Sequence, residues 1–167
     1  MSQYAYAKDN RSDSKYQSDF NIGTHNQELA IKQFQIDRLL VDPYNPIAFK
    51  HNPDKTFQKE DGTWEYNPDY IIFSKGNIVP LEVKVQMTPL SNTIDLKCSQ
   101  VYRLKEVSGY ILYALRDRYS LIEPSTAVKL GTVINSDRFG GKKVFQIGTD
   151  LLRWVLWIHY PDFVKYN

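Results

Sequence analysis

The sequence predicts a mixed α/β (α+β) domain with a mixed central sheet and helices on its flanks. Helix-type and strand-type patterns alternate along the chain, which is the signature of a layered α/β or α+β arrangement. Two apolar strand-like segments, residues 70–73 and 78–85, follow each other across a short turn. With 167 residues, 42% of them hydrophobic and 14% aromatic, the chain has material for one sizeable core, so residues 23–167 are read as a single domain. No internal repeat or low-complexity tract interrupts it.

Residues 1–22 are rich in Tyr, Ser, Asp, Asn and Gln and lack apolar periodicity. They are expected to be an arm, either a frayed terminus or a segment ordered only by a partner. Thr24 and Gln27 then have capping-box spacing, and Leu29, Ile36 and Leu40 recur at helical intervals, which predicts a helix over 28–40. Glu28 falls in its first turn. There its charge is favoured by the helix dipole, and it is equally placed to be a third acid facing a carboxylate cluster. Pro43, Pro46 and Pro53 mark residues 41–67 as an insertion, a proline-rich loop followed by a β-hairpin turning at Glu60-Asp61-Gly62.

The hairpin leads into the strands of residues 70–73 and 78–85. After a loop at 86–92 and a short extended piece at 93–96, Ser99 is positioned to cap a helix running to Val107, with Gly109 ending it. Residues 110–115 and 119–124 read as a strand pair around Arg116-Asp117-Arg118. Residues 125–134 are ambiguous and admit a short helix. A basic, glycine-containing turn, Arg138-Phe139-Gly140-Gly141-Lys142-Lys143, leads into a strand at 144–147. Thr149 or Asp150 then caps an apolar helix over 150–160. Being apolar nearly all round and carrying Trp154 and Trp157, that helix is expected to be central to the fold or half of an oligomer interface.

Charge excludes little. There are 21 basic and 19 acidic residues, for a net charge of +2, a balance compatible with a nucleic-acid partner without demanding one. The single cysteine, Cys98, rules out an intramolecular disulfide framework and a Cys-rich zinc site. No signal-type apolar segment or membrane-length apolar run is present, so a soluble, cytoplasmic protein without a membrane partner is expected. His25, His51 and His159 lack the spacing of a zinc or general-base motif.

The chemistry concentrates at Asp69, Glu82 and Lys84. A strand sends alternate side chains to opposite faces, so Glu82 and Lys84 share one face while Leu81, Val83 and Val85 point into the core. Asp69 opens the preceding strand. Two carboxylates and a lysine converging on adjacent strands suffice to hold a hard divalent cation and place an activated water beside a phosphate. The bland alternative is a solvated Glu82–Lys84 ion pair on an edge strand.

Pro68-Asp69, twelve intervening residues and Glu82-Val83-Lys84 inside an apolar strand resemble the signature of the PD-(D/E)XK nuclease superfamily. Two other Pro-Asp pairs in the chain lack the context: Pro53-Asp54 opens no apolar run, and Pro161-Asp162 has no Glu-X-Lys after it. The similarity covers roughly residues 23–123. In Leu81-Glu82-Val83-Lys84, Asp95-Leu96, Ser99-Gln100-Val101 and 109–114 it is nearest to archaeal-type Holliday-junction resolvases. It departs in the insertion and the C-terminal third.

The resemblance implies a restriction-endonuclease-like fold with Asp69, Glu82, Lys84, Glu28 and Gln100 as site residues. Asp69, Glu82, the Val83 carbonyl and Glu28 would be ligands of Mg²⁺, with Mn²⁺ as a substitute. It further implies hydrolysis of double-stranded DNA, sequence-specific in the manner of homing or restriction enzymes, by a homodimer or higher oligomer. A junction resolvase and a non-catalytic DNA-binding module of the same fold are the alternatives. Arg116, Arg118, Arg138, Lys142 and Lys143 are the basic turn residues available for DNA phosphates.

Overall fold

The structure is a computed structural model that describes residues 12–51, 56–58, 64–66 and 68–166. In chain order its elements are helix α1 (Asp13–Val41), strands β1 (Ala48–His51), β2 (Thr56–Gln58), β3 (Trp64–Tyr66), β4 (Tyr70–Ser74), β5 (Asn77–Val85) and β6 (Thr93–Lys97), and helix α2 (Cys98–Glu106). There follow β7 (Tyr110–Ala114), β8 (Arg118–Ile122), helix α3 (Pro124–Leu130), β9 (Thr132–Ser136), β10 (Lys142–Gly148) and β11 (Val155–Leu156). The main sheet has the order β1-β4-β5-β7-β8-β11, and β6-β10-β9 form a second sheet. In the main sheet β5 and β7 run parallel and the other pairs antiparallel, giving the mixed sheet the sequence predicts. A parallel pair needs a crossover connection, and β6 with α2 supplies it.

Alternation along β5 and β7 divides the interior into two cores. Leu81, Val83, Leu112 and Ala114 face α1, where they meet Ala30, Ile31 and Phe34. On the opposite face Ile111 and Tyr113 meet Val101 and Leu104 of α2, Ala127 of α3 and Phe145 and Ile147 of β10. Each strand is therefore apolar on both sides except where Glu82 and Lys84 interrupt it. Gly109, just before β7, permits this packing, since a Cβ there would lie 2.8 Å from the Pro80 carbonyl oxygen and 2.9 Å from Leu104 Cδ2.

Several expectations are corrected. The first helix begins at Asp13, capped by Ser12, whose Oγ accepts a hydrogen bond from the Lys15 amide, so residues 13–22 are helix rather than arm. An i,i+4 ion pair, Lys15–Asp19, and a Gln17–Asn21 side-chain bond support that polar first part. Glu28 consequently lies inside the helix and not in its first turn. The buried stripe is Asn26, Ala30, Ile31, Phe34 and Asp37, whereas Ile36 and Leu40 are 46% and 55% exposed. The proline-rich stretch is not all loop, because residues 48–51 pair with β4 as an edge strand. The hairpin is present as β2 and β3, and its expected turn, Glu60-Asp61-Gly62, lies outside the described residues, as do residues 1–11 of the arm. The ambiguous stretch 125–134 divides into α3 and β9.

The C-terminal helix expected over 150–160 is absent. Thr149–Leu151 make one 3-10 turn, and the chain then runs extended through β11, which pairs with β8. The two tryptophans explain this. Trp154 packs edge-on against Tyr113 in the core behind α2, while Trp157 lies 4.5 Å from the Tyr119 ring in the core beneath α1. Residues three apart share one face of a helix and cannot enter cores on opposite sides of a sheet, whereas extended backbone reaches both. Beyond β11 the chain is fastened to the two polar residues of the α1 stripe. Asp37 Oδ2 accepts from the Ile158 amide at 2.9 Å, and Asn26 exchanges two 2.8 Å bonds with the Val164 backbone. Among the described residues no helix is long and apolar enough to cross a membrane.

Candidate functional site

The site grows out of β5. With Leu81 and Val83 committed to the α1 core, Glu82 and Lys84 must face the other way, opposite Ile111 and Tyr113 of β7. Tyr70 pairs with Leu81, so Asp69, one residue before β4, comes alongside Glu82. The two acidic residues interlock through backbone amides. Glu82 Oε2 accepts from the Asp69 amide at 3.1 Å, and Asp69 Oδ2 accepts from the Val83 amide at 3.2 Å. Their exposures are 1% for Asp69 and 3% for Glu82, unusual for carboxylates unless something holds them.

Two helices supply further partners. Gln100 of α2 donates from Nε2 to Glu82 Oε1 at 3.3 Å, and Lys84 Nζ stands 4.0 Å from that same oxygen with its side chain one-third exposed. Gln27 of α1 donates to the Val83 carbonyl oxygen at 3.1 Å. The structure thus brings together Asp69, Glu82, Lys84, Gln100 and the Val83 backbone. Glu28 is not brought in. It lies on the exposed side of α1, 3.2 Å from Lys32, and its charge acts on Tyr70, the neighbour of Asp69. Burial pushes the Tyr70 phenol well above its ordinary value, and the Glu28 and Asp69 carboxylates push it further.

The basic residues divide. Arg118 is forked onto its neighbour Asp117 at 3.0–3.3 Å, a hydrogen bond that holds the Asp117 carboxyl below its usual range. Arg116 and Lys143 are exposed. Arg138 and Lys142 lie nearer the chemistry, because Arg138 acts electrostatically on Tyr113 and Lys142 on Lys97. The sequence reading missed Lys97 and Gln27. Burial lowers the Lys97 ammonium pKa first, the Lys84 and Lys142 charges lower it further, and Glu82 opposes them. The available signal for Lys97 is its place at the end of a short strand, three residues before Gln100. Gln27 flanks the buried stripe of α1, but its side is set by a helical phase that Leu29, Ile36 and Leu40 misreport.

Among the described residues no group of three or more His, Cys, Asp or Glu side chains is gathered to hold a metal. The donor set is two buried carboxylates and a backbone carbonyl, all hard oxygen. It fits a cation such as Mg²⁺, which keeps several waters and takes one or two carboxylates, and it does not fit a zinc site built from nitrogen and sulfur. An open concavity of about 680 Å³, lined among others by Phe34, Arg38, Tyr119 and Arg153, lies on the α1 side of the sheet, away from the face of Glu82.

No protein-family model matches the chain. The comparison with curated proteins likewise gives no match. Among solved structures the chain is similar to Hjc, a Holliday junction resolvase from the archaeal hyperthermophile Archaeoglobus fulgidus, with a TM-score of 0.44 and 12% identity over 76% of this chain and 86% of that one. A superposition that loose has no bearing on activity, and the functional reading rests on the side chains around β5.

Proposed function

We propose that this chain is a metal-dependent endonuclease that hydrolyses phosphodiester bonds in double-stranded DNA. The observation that carries the reading is the pair of interlocked, buried carboxylates, Asp69 and Glu82, with Lys84 on the same strand face 4.0 Å from Glu82. Asp69, Glu82 and the Val83 carbonyl would hold Mg²⁺, with Mn²⁺ as a substitute. When bound, the cation lowers the pKa of a coordinated water and offsets charge on the phosphate. Lys84, fixed by its strand register and partly open to solvent, orients the attacking water or meets the charge growing on the phosphoryl oxygens. Gln100 holds Glu82 Oε1 and Gln27 holds the Val83 carbonyl, so both donors are aimed before substrate arrives.

The β2–β3 hairpin supports sequence-specific reading of a duplex in the manner of homing or restriction enzymes, since a two-stranded ribbon fits the major groove. A junction resolvase would read shape instead. Cutting both strands with one small site calls for a homodimer or higher oligomer, and Leu156 and Val41, 65% and 66% exposed, are apolar surface available for it.

The test is incubation with Mg²⁺, or with EDTA, and plasmid, four-way-junction or single-stranded DNA, using wild type and Lys84→Ala, with molar mass measured by light scattering. Metal-dependent cutting of plasmid is expected. Lys84→Ala should lose at least about 100-fold in rate, the scale of one transition-state contact, while still binding DNA. Full cleavage by Lys84→Ala would sink the assignment, preference for the junction would move the substrate to the resolvase reading, and binding without any cleavage would favour a non-catalytic module.

A further inference from the structure

We infer that Lys97, together with Arg138 and Lys142, forms a clamp for a DNA backbone phosphate beside the carboxylate pair. The inference rests on the nuclease reading above and names a substrate contact which that reading leaves unassigned. In the antiparallel pairing of β6 with β10, Lys97 stands opposite Val144, and Lys142 lies two residues before Val144 on the same strand. Residues directly opposite and those two apart share one face of a sheet, so Lys97 and Lys142 point to the same side. Asp95 shares that side and is engaged by Gln146 Nε2 at 3.4 Å.

The Phe139 ring then gathers the cations. Lys97 Nζ is 5.3 Å from its centroid and the Arg138 guanidinium carbon 5.9 Å, so one aromatic surface carries two positive groups. Lys97 is partly buried, and Lys84, Lys142 and Glu82 all lie near enough to act on its charge. Its field therefore overlaps that of Lys84. A polyanion lying across these side chains is attracted by all three charges at once. The turn that sets this up needs Gly140 and Gly141, whose φ values are +66° and +79°. Lys97 also immediately precedes α2, the helix from which Gln100 reaches Glu82, so a phosphate on Lys97 has a fixed offset from the carboxylates.

The test measures binding of a short DNA duplex with Ca²⁺ in place of Mg²⁺ across a range of KCl concentrations, and steady-state cleavage with Mg²⁺, for wild type, Lys97→Gln and Lys97→Arg. Loss of one phosphate contact should make the slope of log K against log salt shallower by about 0.9 and weaken binding roughly 10-fold at moderate salt. KM should rise by a similar factor while kcat changes little, and Lys97→Arg should restore the slope. A structural role against Phe139 alone would lower the melting temperature and leave slope and KM untouched. That result would overturn the clamp while leaving the nuclease reading in place. A wild-type protein that neither binds nor cuts DNA would overturn both. If Lys97→Gln does not fold, Lys142→Gln must show the same change in slope, and an unchanged slope there counts against the clamp equally.

Discussion

Replacing Asp69 with Asn should stabilise the metal-free protein while abolishing its response to Mg²⁺. Asp69 and Glu82 are both almost fully buried on adjoining strands. Their hydrogen bonds to each other's segments run through backbone amides, the Asp69 amide to Glu82 and the Val83 amide to Asp69. An Asn Oδ1 can accept the Val83 bond as Asp does, so the change removes a charge and keeps the contact. Opposed cross-strand side chains lie about 5 Å apart, and two unit charges at that distance repel by about 3 kcal/mol at an effective dielectric of 20. Lys84 at 4.0 Å and Gln100 at 3.3 Å offset part of this by favouring the Glu82 charge. A net gain of about 1–2 kcal/mol is expected, or roughly 2–8 °C in melting temperature for a domain of this size. The assay is thermal and urea unfolding in EDTA and again with Mg²⁺. In wild type, saturation at 100 times Kd should add about 2.7 kcal/mol, and in Asp69→Asn that gain should largely disappear. If Asp69→Asn melts below wild type in EDTA, and wild type itself is indifferent to Mg²⁺, the carboxylates are structural and the metal-site reasoning fails.

Other perturbations probe the frame around the site. Trp157 is buried, donates to the Leu115 carbonyl at 2.9 Å and packs on Tyr119, so Trp157→Ala should cost about 3–5 kcal/mol in urea unfolding. At high pH the buried tyrosines Tyr70, Tyr113 and Tyr119 should govern stability, because burial raises each phenol above its unfolded value. Their contribution is complete below about pH 10 and is lost as pH rises toward the folded-state values, with a slope of up to about 1.4 kcal/mol per pH unit per group. Urea titrations between pH 9 and about 11 should therefore show falling stability, and Tyr70→Phe should flatten the fall.

The legible parts of this protein were those in which local pattern and tertiary role agree. Glu82, Val83 and Lys84 sit on an apolar strand whose alternation fixes their faces, so the sequence alone places Glu82 and Lys84 together. A short amphipathic helix leaves Gln100, Arg103 and Lys105 off its buried face, and it is the family resemblance that singles out Gln100 among them. Two failures share a cause. The stripe of α1 that meets the sheet contains Asn26 and Asp37, polar residues that are buried because they bond backbone of residues 158–164, more than a hundred positions away. Counting only apolar residues therefore rotates the helix, hides the segment 13–22 and gives no reason to single out Gln27, whose side chain reaches the Val83 carbonyl. The C-terminal segment failed for a related reason, since Trp154 and Trp157 serve cores on opposite sides of the sheet. A window containing both looks like one apolar helix when the partners of each are unknown.

The same long-range bonds bear on how the site is held. β5 is gripped from both faces: Gln27 of α1 fixes the Val83 carbonyl, Gln100 of α2 fixes the Glu82 carboxylate, and the Val83 amide fixes Asp69. A carboxylate pair buried this deeply keeps its geometry only if both helices keep their seats. α2 is seated by Val101 and Leu104, both at most 1% exposed, in an apolar core. α1 is seated differently, since part of its stripe is polar and depends on the C-terminal strand and tail to satisfy Asn26 and Asp37. Removing that tail would strip buried Asn26 of both its bonds to Val164 and leave Asp37 with Gln33 but without the Ile158 amide, a cost of about 1–3 kcal/mol for each group left unsatisfied, on the helix that aims the Val83 carbonyl. Residues 158–164 thus act on β5 through the orientation of α1.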